Sequence, residues 1–299
     1  MEFEIWGLSG SLHTERAEQM AQAEERLWYW IDAFDEACNR FRPDSEISRL
    51  NAGVAVRHEM SDAFELALLG ALRAGHATQG LCDPTVLPAL LALGYDCDYD
   101  ELLTRGPGHE RGPVKPLGLA AITLDRTQHT VTLAPHCQLD LGASAKALVV
   151  DFVANEMSTS GGVVVEIGGD VAVRGCGADG PWAIGVSDSL VLDPSRPRVS
   201  VDMGGIATSS TTTRTWRVGN RTANHIIDPR TGSFAQSVYA TATVSADSCL
   251  MANAFSTAAL LWGEDAGYFI SQAGWSGRLV RHNGAVEFYG GWPHDEVSP

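Results

Sequence analysis

Five short segments of this 299-residue chain concentrate the residue types that do chemistry. Leu139–Lys146, LDLGASAK, sets an aspartate before a helix start and a lysine one turn in. Helix-terminal N–H groups and a lysine make an anion site, although a capped helix with a solvated lysine reads the same way. Gly204–Arg214, GGIATSSTTTR, gathers hydroxyls after two glycines, which suits either phosphate and ribose contacts or a hydrophilic loop. His225–Gly232, HIIDPRTG, contains a turn that Asp228, Pro229 and Gly232 explain but that does not require His225 or Arg230. Ala252–Ala258, ANAFSTA, places Asn253, Ser256 and Thr257 on one helix face, where their oxygens could meet a hard cation or pack against a neighbour. In VEIGGDVAVRG two glycines and Asp170 separate two strands, giving a tight turn or a close approach of backbone to a ligand.

The elements around them can be read from hydrophobic period and punctuation. Leu27, Trp30, Ile31, Phe34, Cys38 and Phe41 recur at helical spacing over Glu15–Phe41, and Pro43 disfavours helix at Arg42. A second helix is predicted over Ser61–Thr78 with Ser61 as its N-cap, a third from Ser144 to Met157, and two more over Ser248–Leu261 and Glu264–Ala273. Strands are predicted at 121–124, 130–133, 163–167, 171–173, 182–186, 198–203 and 240–244. Asn283-Gly284 predicts a type I′ hairpin near the end. Residues 95–117 are polar and rich in Gly and Pro, and read as a loop or insertion. Strand and helix interleave without a βαβ period, so the fold class is α+β.

Composition narrows the partners. The chain is 44% hydrophobic with 21 basic and 37 acidic residues, a net charge of −16 that disfavours nucleic acid and anionic membrane. No apolar run is long enough for a membrane span, and the beginning lacks a secretory pattern, so a cytoplasmic location is expected. Six dispersed cysteines form no CxxC pair, which removes zinc and redox readings and suits reduced thiols. P-loop, HExxH, GxSxG and dinucleotide fingerprints are absent.

Taken in order, SEISRLN (45–51), LCDPTVLPALLALGY (81–95), LDLGASAKALVVD (139–151), IGGDVAVRG (167–175), IATSS (206–210), HIIDPRTG (225–232) and ANAFSTAALLWG (252–263) resemble the consecutive blocks of the ApbE-type flavin transferases. The resemblance spans nearly the whole chain. It implies one α+β domain over 1–299, T-fold-like, with mixed sheets packed against helices. It implies Mg²⁺-dependent transfer of the FMN moiety of FAD to a Ser or Thr of an acceptor flavoprotein, with release of AMP. The acceptor would carry a Ser/Thr-Gly-Ala-Ser/Thr segment, a string this chain lacks. Other readings are Mg²⁺-dependent hydrolysis of FAD to FMN and AMP, and FAD binding without catalysis.

Carried over position by position, the resemblance puts Phe41, Leu81, Cys82, Asp83, Asp140, Lys146, Thr208, His225 and Ile226 against FAD. Ala143 (through its carbonyl), Asn253 and Thr257 fall at metal-ligand positions, and His225 with Lys146 at the reacting phosphates. Three departures stand out. Asn253 replaces the family's aspartate, Trp6-Gly7-Leu8 its Met-Gly-Thr, and Ala147-Leu148 the Gly-Tyr after its lysine.

Overall fold

The computed structural model describes residues 1–53, 57–108, 111–187 and 196–293. Eight helices are present among them: α1 (Met20–Cys38), α2 (Glu46–Ala52), α3 (Asp62–Ala77), α4 (Leu87–Ala92), α5 (Tyr99–Thr104), α6 (Gly142–Met157), α7 (Cys249–Trp262) and α8 (Ala266–Gln272). None is long and apolar enough to cross a membrane. The chain groups into two compact units, one of residues 1–30, 146–213 and 236–299, the other of residues 31–145 and 214–235.

The first unit is built on an eight-stranded antiparallel sheet whose spatial order follows the chain. Its strands are β1 (Glu2–Ile5), β2 (Leu8–Thr14), β3 (Val163–Ile167), β4 (Asp170–Arg174), β5 (Met203–Ser210), β6 (Tyr239–Ala246), β7 (Ser276–Arg281) and β8 (Val286–Tyr289). Alternation sorts the side chains. Val164, Val171, Val173 and Ile206 form one apolar face, closed by Val199 and Trp182 of the hairpin Trp182–Gly185/Arg198–Val201. The other face takes α7 against β5 and β6. Burying each of Leu250, Leu260 and Leu261 of α7 contributes about 1.5–3 kcal/mol.

Two turns are set by backbone needs. Gly168 and Gly169 join β3 to β4 with φ of +60° and +88°, the pair of left-handed residues that a two-residue hairpin requires. Trp6 and Gly7 do the same between β1 and β2, with Trp6 at φ +53°. The Asn283-Gly284 turn differs from expectation. Only Gly284 has positive φ (+85°), and its N–H donates to the Arg281 carbonyl, so the turn centres on His282 and Asn283 with Gly284 as the left-handed residue after it.

The second unit packs α2 to α5 with a three-stranded sheet (His58–Glu59, Thr130–Leu133, Ile122–Asp125) and two small hairpins at Thr215–Asn224 and Ile227–Phe234. Ser61 caps α3 as expected, accepting from the Phe64 N–H. Leu90, Leu93, Tyr95, Trp216, Val218 and Phe234 form its core. The expectation of a loop over 95–117 is corrected only over 99–104, and residues 109–110 lie outside the described residues. Residues Tyr99–Thr104 are helical, and the Tyr99 hydroxyl both donates to the Thr215 carbonyl and accepts from the Thr215 N–H. Local polarity concealed a helix that long-range contacts stabilise. Gly204–Ser210, open to a loop reading, is strand β5, because cross-strand pairing on both edges outweighs its glycines and hydroxyls.

Candidate active site

In the first unit two of the expected site residues, Lys146 and Asn253, meet at Asp170, at the start of β4. Its carboxylate is buried; Oδ1 accepts from Asn253 Nδ2 at 2.8 Å and Oδ2 lies 3.7 Å from Lys146 Nζ. Asn253 and Thr257 are one turn apart on α7, where Ser248 caps the helix through the Met251 N–H. Ser209 of β5 reaches this helix, its Oγ 2.8 Å from Ser256 Oγ and 2.9 Å from Thr257 Oγ1. Thr208, the residue expected from the sequence, lies on the opposite face of β5 and pairs with Thr243 at 2.9 Å.

Asp151 of α6 supports the arrangement from behind. Its buried carboxylate accepts from the backbone N–H groups of Cys249 and Leu250, at 3.0 and 2.9 Å, and meets Arg174 at 3.4 Å. Burial pushes its carboxyl above the usual range despite these partners. Gly205 lets α7 approach, since a Cβ there would fall 2.2 Å from the Cys249 nitrogen.

In the second unit three of the sequence blocks are tied together by hydrogen bonds. Asn51 clasps the backbone of Leu139, donating from Nδ2 to its carbonyl (2.8 Å) and accepting its N–H (2.7 Å), and the Asp140 N–H donates to the Pro84 carbonyl. Asp140 itself forms an ion pair with Arg40 (2.7 Å) and accepts from the Gly142 N–H at the head of α6. Arg40 donates to the Tyr95 carbonyl and lies over the rings of Phe41 (4.0 Å) and Tyr95 (4.6 Å). Asp83 is buried and accepts from both the N–H and the hydroxyl of Thr85; burial raises its carboxyl above the usual range. Leu81 and Cys82 are buried, and burial pushes the Cys82 thiol up to about 12, so it acts as a small apolar side chain and not as a nucleophile. Ala143 is exposed in the first turn of α6.

His225 is fixed through its neighbours. Asn224 accepts the Ile226 N–H and donates to the Ala235 carbonyl, the Ala235 N–H donates back to the Ile226 carbonyl, and Ile226 is buried. Arg230, unexplained by the sequence, forms a bidentate pair with Asp228 that locks the turn.

Arg40, Asp151, Asp170 and Ser209 are polar groups that the sequence did not single out individually. Asp170 carried a signal, an acid following two turn glycines; the others became apparent only from their partners. Among the described residues no three His, Cys, Asp or Glu side chains converge as a metal cage. The oxygen donors of Asn253 and Thr257, with Asp170 behind them, instead suit a hard cation such as Mg²⁺.

A sequence model described as the ApbE family matches residues 7–275, most of the chain. The chain belongs to the ApbE family. It is 28% identical over 235 residues to the FAD:protein FMN transferase of Haemophilus influenzae, covering 75% of this chain and 68% of that protein. It is 30% identical over 247 residues to the FAD:protein FMN transferase of Chlamydia trachomatis, covering 79% and 75%. The flavinyl transferase ApbE of Pseudomonas stutzeri superposes with a TM-score of 0.79 over 97% of this chain and 92% of that one, at 22% identity, a likeness of fold. The ApbE resemblance, the α+β architecture and the transferase class expected from the seven blocks are borne out.

Proposed function

We propose that this ApbE protein transfers the FMN moiety of FAD to a Ser or Thr hydroxyl of an acceptor protein and releases AMP. The observation that carries the reading is the cluster on the first unit, where Lys146, Asp170, Asn253 and Thr257 bring a cation and several oxygen acceptors together. Mg²⁺, when bound, would supply Lewis-acid neutralisation of the pyrophosphate charge. Asn253 and Thr257 would hold it through their side-chain oxygens. Lys146 neutralises charge on the phosphate oxygens as the acceptor oxygen bonds to the FMN phosphorus and the bond to AMP breaks. His225 takes the hydroxyl proton; its Nδ1 is buried, leaving Nε2 to meet the acceptor. Phe41, Leu81, Cys82, Asp83, Asp140 and Ile226 complete the flavin contacts of the proposal, and Thr208, turned to the other face of β5, is left out of them.

The test is incubation of the protein with FAD, Mg²⁺ and a domain bearing a Ser/Thr-Gly-Ala-Thr segment. Covalent flavin on the acceptor with equimolar AMP is expected, and His225→Ala should lower the rate by about 10²–10⁴-fold. AMP without labelled acceptor would replace the transferase reading with FAD hydrolysis, and neither product would leave a flavin-binding protein.

A further inference from the structure

The hydroxyl groups between β5 and α7 can be assigned hydrogen by hydrogen. Ser256 Oγ lies 3.0 Å from the Asn253 carbonyl, an acceptor only, so the single Ser256 hydrogen points there. Ser256 therefore accepts from Ser209 across 2.8 Å, which commits the Ser209 hydrogen. Ser209 in turn accepts from Thr257 across 2.9 Å, which commits the Thr257 hydrogen. The chain runs one way, from Thr257 through Ser209 and Ser256 to the Asn253 carbonyl, and it ends on the same helix where it began. Ser256 is fully buried, so water does not compete for this last link. The Asn253 amide is oriented by the same logic. Asp170 Oδ1 at 2.8 Å requires a donor, so Nδ2 faces it and Oδ1 faces away.

We propose that Ser209, Ser256 and Asp170 are positioning residues that keep the Thr257 hydroxyl hydrogen and the Asn253 Nδ2 group turned from the cation, so that each side chain presents its oxygen. The inference rests on the reading of Asn253 and Thr257 as cation ligands. Without Ser256, the Ser209 hydrogen turns to Thr257, whose own hydrogen then points toward the cation. Without Ser209, the Thr257 hydroxyl rotates without constraint. Neither change removes a ligand atom.

The probe is Mn²⁺, followed by electron paramagnetic resonance on the full chain, alone and with FAD. Ser256→Ala and Ser209→Ala should each weaken Mn²⁺ binding by about 10-fold or more, and Thr257→Val should abolish it. Asp170→Asn should weaken it as well, because the new amide can turn Asn253 over. Thr243→Val removes a buried hydroxyl from the other face of the sheet and should bind Mn²⁺ as the unaltered protein does, a distinction that a merely structural role would not produce. Melting curves establish that each variant is folded, and two independent serine variants cover the failure of one. Wild-type affinity in both serine variants, or no Mn²⁺ bound by the unaltered protein under either condition, would overturn the proposal. Weakened binding in a protein that transfers no flavin would sustain the inference and remove the function above; unchanged binding beside intact Mg²⁺-dependent transfer would do the reverse.

Discussion

At Asn253 an amide stands where the family resemblance implies a carboxylate, and Asp170 supplies the missing charge one hydrogen bond further back. Asn253→Asp would set two carboxylates at that 2.8 Å contact, with Lys146 3.7 Å from the far oxygen as a partial offset. Like charges this close favour a bound cation or a shared proton. The metal-free Asn253→Asp protein should therefore melt several degrees lower than the unaltered one, and Mg²⁺ should raise its melting temperature by more. A thermal melt with and without MgCl₂ checks this, and a Mg²⁺-induced shift no larger than that of the unaltered protein would refute it. The candidate ligands were legible at this scale because Asn253 and Thr257 fall at i and i+4 of one helix. Asp170 and Ser209 lie 83 and 48 residues away from their α7 partners, and no local spacing announces such contacts.

The elements place these residues through contacts of two kinds. Helix α7 carries its own cap in Ser248, a local signal, but its seat on the sheet depends on Asp151 and Gly205. Asp151→Ala would remove one of several partners of half-buried Arg174, which keeps Asn155 and the Val173 and Gly204 carbonyls, and would leave two helix N–H groups without their acceptor. It should cost about 1–3 kcal/mol in urea unfolding. Gly205→Ala forces α7 off the strand, and a loss of about 1–3 kcal/mol is expected. Equal stability of both variants to the unaltered protein would show that α7 docks by apolar contact alone. In the second unit Asn51→Ala removes both hydrogen bonds to the Leu139 backbone, for an expected loss of about 1–3 kcal/mol. Helices such as α3 could be read from period and caps because their signals are local. Helix α5 could not, since its polar sequence is held by Tyr99 and by packing of Leu102 with Trp216 in the same core.

For the whole molecule, charge sets the response to pH. Asp83, Asp151 and Glu166 are each held above the ordinary carboxylate range, with burial as the leading cause. The native state therefore binds more protons than the unfolded chain between the ordinary pKa, about 4, and the raised values. The stability they contribute is fully present below the ordinary range and is lost as pH rises through the raised values. Glu264, held low by Arg281, acts oppositely but only as pH falls below the ordinary range. Reducing a net charge of −16 also relieves self-repulsion on acidification. At fixed ionic strength the melting temperature should rise as pH is lowered from neutral toward the ordinary carboxylate range, and Asp83→Asn should flatten part of that rise. A melting temperature that is level or falls over this interval would contradict the assignment.

The sequence by itself determined the family, the mixed helix and strand content, and the blocks that hold the candidate site. Each of these rests on short strings, periodicities and caps that act within a few residues. Tertiary structure alone decided that Asp170 backs Asn253, that Ser209 and not Thr208 faces α7, that Arg40 engages Asp140 beside Phe41, and that Asp151 seats α7. A buried polar atom must find a partner wherever the fold brings one, and that partner is chosen by strand register and helix docking, not by distance along the chain.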